Sequence, residues 1–69
     1  MAQYNLGLLY STGRGVPQDY ITAYTWFNIA AAQGLANAKQ GRDAAAAYLN
    51  TTSLAMAQKL SDELFKFLR

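Results

Sequence analysis

Apolar residues recur along the chain at helical intervals, and glycine and polar clusters divide them into four segments. In the first, Ala2, Leu6, Leu9 and Tyr10 share one stripe, interrupted by Gly7. A glycine inside a helix costs about 1 kcal/mol against alanine, so Gly7 predicts a neighbouring helix that approaches closely. In the second segment, Tyr20, Ala23, Tyr24, Phe27, Ala30 and Ala31 follow the i, i+3, i+4, i+7 rule, with Trp26 at the edge of the stripe. A helix is expected there over residues 19 to 33. Asp19 is its only charge, so it is apolar over most of its circumference and should be buried on more than one side. The third segment, residues 35 to 49, is rich in alanine, with Gly41 weakening its middle. The fourth, residues 51 to 68, is the clearest amphipathic helix. Leu54, Ala57, Leu60, Leu64 and Phe67 with Leu68 lie on one stripe; Lys59, Ser61, Asp62 and Lys66 lie largely off it.

The breaks carry their own signals. Ser11-Thr12-Gly13-Arg14-Gly15-Val16-Pro17 ends the first helix and makes a turn. Gly13 is placed to take the left-handed conformation that closes a helix. Pro17 holds Val16 extended, and Val16 is the one aliphatic side chain available there to plug the core between two helices. Asp19 can cap the amides of the second helix, and Gly34 is placed to end it. Asn50-Thr51-Thr52-Ser53 marks the last boundary. The predicted fold is all-α: four helices joined by short turns, read as two antiparallel helix pairs. Ala2 and Ala38, 36 residues apart, begin comparable helices, which suggests a repeat whose second copy has decayed.

These residues together resemble a Sel1-like repeat, a family of the tetratricopeptide-related α/α solenoids. Ala2, Leu6, Gly7 and Tyr10 resemble its first-helix signature. Gly13, Gly15 and Val16 resemble its loop, and Asp19, Ala23, Trp26, Ala30, Ala31 and Gly34 its second helix. The resemblance covers residues 2 to 34. Residues 35 to 69 depart from it: Arg42-Asp43 stand where a Leu-Gly pair is expected, and the Gly-x-Gly-Val loop is absent. That second half resembles a degenerate repeat followed by a C-terminal capping helix, the atypical terminal unit that solenoids need. The resemblance implies an α/α superhelix fragment and a non-catalytic protein–protein interaction module of the scaffold or adaptor kind.

Composition changes the picture in one respect. The chain of 69 residues is 52% hydrophobic and 14% charged, against roughly 25% charged in ordinary soluble domains. So much apolar material on so short a chain must be covered by something. Solenoid repeats cover theirs with neighbours. The open N-terminal side, led by Tyr4, Leu8, Tyr24 and Phe27, is therefore expected to meet upstream repeats or a second copy, a symmetric homodimer being the simplest closed solution. Residues 50 to 69 read instead as a finished end. Trp26 reads as core, and Tyr10, a signature position, as structural.

Charge and chemistry mostly exclude. The net charge is +2, from six scattered basic and four acidic residues; Lys59, Lys66 and Arg69 complement a helix C-terminus rather than form a nucleic-acid footprint. There is no cysteine and no histidine, which removes thiolate chemistry and the commonest general base and metal ligand. Asp62 and Glu63 are adjacent and point about 100° apart on a helix, so they do not make an acid/base pair. Gly13-Arg14-Gly15 lacks the spacing of a phosphate loop, and Asn50-Thr51-Thr52 reads as a cap rather than a glycosylation site. No metal, cofactor or nucleic-acid partner is expected. No apolar run of ~18 residues is present, and the start has neither the basic nor the apolar region of a signal peptide. The alternative reading is a membrane-surface module using the last helix, disfavoured because such a helix needs a more cationic polar face. An enzyme is the least favoured.

Overall fold

Four helices account for most of residues 2–68, the part of the chain that the computed structural model describes: α1 (Ala2–Thr12), α2 (Tyr20–Ala32), α3 (Ala36–Ala46) and α4 (Thr51–Leu68). The side chains of Ala2 and Leu68, and the whole of Met1 and Arg69, lie outside the described residues.

The local signals act as expected at the boundaries. Gly13 is left-handed (φ 74°), and the N–H groups of Gly13 and Arg14 both donate to the Leu9 carbonyl, at 2.8 and 3.3 Å. Asp19 caps α2: its Oδ1 accepts from the Ile21 and Thr22 amides, and its Oδ2 from the Thr22 hydroxyl at 2.8 Å. Gly34 (φ 95°) closes α2 in a Schellman turn. Its N–H donates to Ala31 and that of Leu35 to Ala30, at 3.0 and 3.3 Å. Asn50 caps α4, its Oδ1 accepting from the Ser53 amide at 2.7 Å. Val16, expected to plug the core between two helices, is only half-buried and is not among the residues packed against the core cluster. The third helix ends at Ala46, three residues before the expected limit, and turn bonds from Tyr48 to Ala45 and Leu49 to Ala46 carry the chain toward α4.

The nearly all-round apolarity of α2 is explained by its position: it packs against all three other helices. Residue pairings give the directions. Phe27 meets Gly7 of α1 and Gly41 of α3, while Tyr10 bonds Asp19 and Tyr20 stacks on Tyr48, so both neighbours run antiparallel to α2. Thr25 and Asn28 donate to Ala57 and Ser61, so α4 runs parallel to α2. Expectation of a second helix pair is thereby refined: α4 makes its main contact with α2 rather than with α3.

The core is built mostly of small residues: Ala23, Ala30, Ala38, Ala45 and Ala57 are all buried. Alanine permits close approach but removes little apolar area from water. The burden therefore falls on Phe27 and Ile29, which are 2% and 1% exposed. Phe27 sits between two glycines. A Cβ at either Gly7 or Gly41 would lie 2.7 Å from its ring. Tyr4 packs a tilted ring on it at 5.7 Å between centroids. The radius of gyration is 10.6 Å, close to the ~11 Å of a folded globule of this length, so the chain folds back on α2 rather than extending as an open strip.

The equivalence of Gly7 and Gly41 corrects the repeat register. α1 begins at Ala2 and α3 at Ala36, and the two glycines share the same offset of 34 residues, the tetratricopeptide period. The 36-residue spacing from Ala2 to Ala38 aligns the wrong alanines. The second copy of the first-helix pattern is Ala36 to Gly41, with Gln40 where leucine stands before Gly7.

Candidate interaction surfaces

Of the four residues expected to lead an N-terminal contact, the fold exposes one. Leu8 is 40% exposed, beside Leu9 at 37%. Tyr4 is half-buried against Phe27, and Tyr24 and Phe27 are enclosed in the core. The two buried residues look outward in a one-repeat reading. In the folded chain α3 comes close over Phe27, where Gly41 leaves room for its ring. Tyr24 keeps its hydroxyl at the edge of the core, accepting from Gln58 Nε2 at 3.5 Å.

Among the described residues, three apolar depressions bear on the question of a partner. One, of about 460 Å³, lies on the outer side of α1 among Asn5, Leu8, Leu9, Thr12 and Arg14. A second, of about 260 Å³, opens between α1 and α3; Phe27 and Gly41 form its floor, and Leu8, Tyr20 and Tyr48 its walls. The stacked Tyr20 and Tyr48 rings, 4.4 Å apart and 9° from parallel, hold one side of it. Tyr48 is itself 69% exposed.

The third, of about 430 Å³, runs between α2 and α4. Thr22, Thr25 and Trp26 line it from α2; Leu60, Glu63, Leu64 and Phe67 line it from α4. Trp26 was expected in the core. It is half-buried, because α4 approaches α2 along the face of Thr25, Asn28 and Ile29 and stops short of the indole. Nor is α4 the finished end its sequence suggests. Met56, Leu60 and Phe67 are 52%, 46% and 84% exposed.

A polar clasp sets how α4 docks. Arg42 Nη1 donates to Asn28 Oδ1 at 3.3 Å, and Asn28 Nδ2 donates to Ser61 Oγ at 2.8 Å. Ser61, 2% exposed, donates in turn to the Gln58 carbonyl. Every buried side-chain polar atom among the described residues has a partner. Pattern reading missed this clasp because Asn28 and Arg42 are ordinary surface residue types. Ser61, expected to lie off the apolar stripe, instead falls on the inward face of α4 with Leu54, Ala57 and Leu64, and a serine placed on the wrong face gave no sign of the clasp.

For chemistry there is little material. Among the described residues, no three acidic, histidine or cysteine side chains group as metal ligands. No described helix is long and apolar enough to cross a membrane.

The arrangement is two helix-turn-helix units sharing a central helix, with matched glycines 34 residues apart. The model of the Sel1 repeat matches residues 1–35 of the 69, half of the chain. The chain belongs to the Sel1 repeat family. Sel1 repeats generally mediate protein–protein interaction. In this Sel1 chain the match ends at Leu35, one residue before α3. No curated protein and no solved structure matches the chain.

Proposed function

We propose that this Sel1 chain is a non-catalytic protein-interaction module, of the scaffold or adaptor kind, whose outer α1 face receives a further helical repeat. That repeat comes from a longer chain upstream or from a second copy. The observation that carries the reading is the pair Leu8 and Leu9, adjacent, exposed and set in an apolar depression on the side of α1 away from α2. Repeats of this type bury such faces on their neighbours. Residues 35 to 69 serve as a degenerate second repeat with a terminal helix.

The repeat offset makes a direct test. The Gln33-Gly34-Leu35 junction delivers α2 into α3 at Ala36, the equivalent of Ala2. Duplicating residues 2–35 immediately upstream of Ala2 therefore supplies the missing neighbour through a junction the chain already uses. Amide hydrogen exchange in the original α1 should slow in the doubled chain, and Leu8→Asp with Leu9→Asp should abolish the slowing. Equal α1 exchange in the single and doubled chains would refute the reading.

The membrane-surface alternative gains no support from α4. Among its described residues Lys59 and Lys66 are matched by Asp62 and Glu63, so its polar face lacks the cationic excess such helices carry.

A further inference from the structure

The α2–α4 groove carries an inference separate from the α1 face. On α4, Met56, Leu60, Glu63 and Phe67 fall within roughly 60° of one another around the helix axis at 3.6 residues per turn. This ridge runs beside the inward stripe of Leu54, Ala57, Ser61 and Leu64. Three of its four members are exposed large apolar side chains. The fourth, Glu63, is a carboxylate set among them at the groove's edge. Lys59 and Lys66 border the ridge on its far side. Among the described residues the one ion pair is Arg42 with Asp43, so Glu63 is not paired with either lysine.

An occupant of this surface must therefore bring apolar side chains at helical spacing together with a cation. The α4 helix of a second copy has both. Its Phe67, 84% exposed, is a projecting apolar group, and Lys66 precedes it. The groove beside Trp26 is the matching recess on the same face. A projection and a recess on one face become mutually complementary about a two-fold axis. The net charge of +2 per chain opposes such pairing only weakly.

We infer that two copies of this chain associate through their α4 helices, antiparallel about a two-fold axis near Leu64 and Phe65. Phe67 of each copy enters the Trp26 groove of the other, and Glu63 of each faces Lys66 of the other. About that axis Met56 lies beyond the end of the partner helix, so the contact begins near Leu60 and is less than about 15 Å long at 1.5 Å per residue. A strip that short covers less than the standard interface of about 800 Å² per partner, so the contact is a weak one, to be sought at chain concentrations between about 10 μM and about 1 mM.

Charge exchange tests the pairing. Sedimentation equilibrium over that concentration range should show the 7.6 kDa chain approaching twice its mass. Trp26, the single tryptophan, should shift its emission to the blue as concentration rises. Glu63→Lys and Lys66→Glu should each weaken dimerisation by about tenfold or more, since each sets like charges opposite one another twice. An equimolar mixture of the two variants should restore it, because both contacts are then opposite in sign. Far-UV circular dichroism confirms that each variant folds. A chain monomeric throughout would overturn the inference. So would a dimer indifferent to both variants, or a mixture that fails to recover. Binding of the wild-type chain to vesicles with about 30% anionic lipid, lost in Phe67→Ser, would assign the ridge to a membrane instead. Leu8→Asp leaves this contact intact, so this experiment and the doubled chain can fail separately.

Discussion

Phe27 is the largest apolar side chain in a core otherwise built mainly from alanine, and two glycines make room for it. A domain of this size has a total stability of about 3–10 kcal/mol at the usual per-residue value. Removing a buried phenylalanine costs about 3–5 kcal/mol. Phe27→Ala is therefore expected to remove between about a third and all of that stability, measured as a large fall in the urea midpoint or, at the lower end of the range, as loss of the far-UV helical signal at 25 °C. At Gly7 two effects oppose. Alanine is favoured in a helix interior by about 1 kcal/mol. The new Cβ would stand 2.7 Å from the Phe27 ring, and overpacking costs about 1–3 kcal/mol. Sterics win, so Gly7→Ala and Gly41→Ala should each lower the urea midpoint. Adding Phe27→Leu should make either change less harmful than it is alone, a coupling readable in a double-mutant cycle. Gly34→Ala differs in kind. A Cβ there meets nothing within 4 Å, and the cost is the left-handed backbone, about 1 kcal/mol. Phe27→Leu should not relieve it.

Elements begin and end here for local reasons, but they dock for non-local ones. Asp19 accepts three hydrogen bonds at the start of α2. Asp19→Ala is expected to cost about 1–2 kcal/mol and Asp19→Asn much less, compared by thermal or urea unfolding. The docking of α4 rests on the clasp through Asn28, which bonds Arg42 from α3 and Ser61 from α4. Asn28→Ala leaves the buried Ser61 hydroxyl and the Arg42 guanidinium short of a partner. Its expected cost is about 1–3 kcal/mol. The loss should be uneven: amide exchange in α4 should rise more than in α1, because α1 has no contact with the clasp. Uniform acceleration across all four helices would show that α4 has no separate docking energy.

The whole molecule is a repeat unit that has folded around its own second helix. That arrangement hides Tyr24 and Phe27 and, among the described residues, leaves apolar surface on α1, between α1 and α3, and along α2 and α4. An isologous contact at α4 leaves both α1 faces of the pair pointing outward. A dimer so formed would present two docking faces for repeats, a bivalent arrangement that raises avidity when the sites are spanned together. The corresponding prediction is that the doubled chain, with its original α1 covered, still dimerises through α4. Sedimentation of the doubled chain should show the same sensitivity to Glu63→Lys as the single chain.

How much of this was legible in the sequence depends on the range of the interactions. The helices, the caps at Asp19 and Asn50, the left-handed glycines and the family follow from the residues themselves. Each rests on contacts within about one turn of the chain or on local spacing. The reason for Gly7 was anticipated in kind, a close helix, though not its mate Gly41. That pairing requires α1 and α3 both to close on the one Phe27 ring, which appears only after α2 is buried. Which apolar residues end up exposed was decided later still. Trp26 and Phe27 are neighbours on one helix; spacing puts Phe27 on the apolar stripe and Trp26 at its edge, but does not say which of the two is covered. The approach of α3 encloses Phe27, and the stopping point of α4, set by the Asn28 clasp, leaves Trp26 at the edge of a groove. Sequence periodicity determined that α2 had apolar surface on several sides. Only the packing of three different helices against it decided which side remained for a partner.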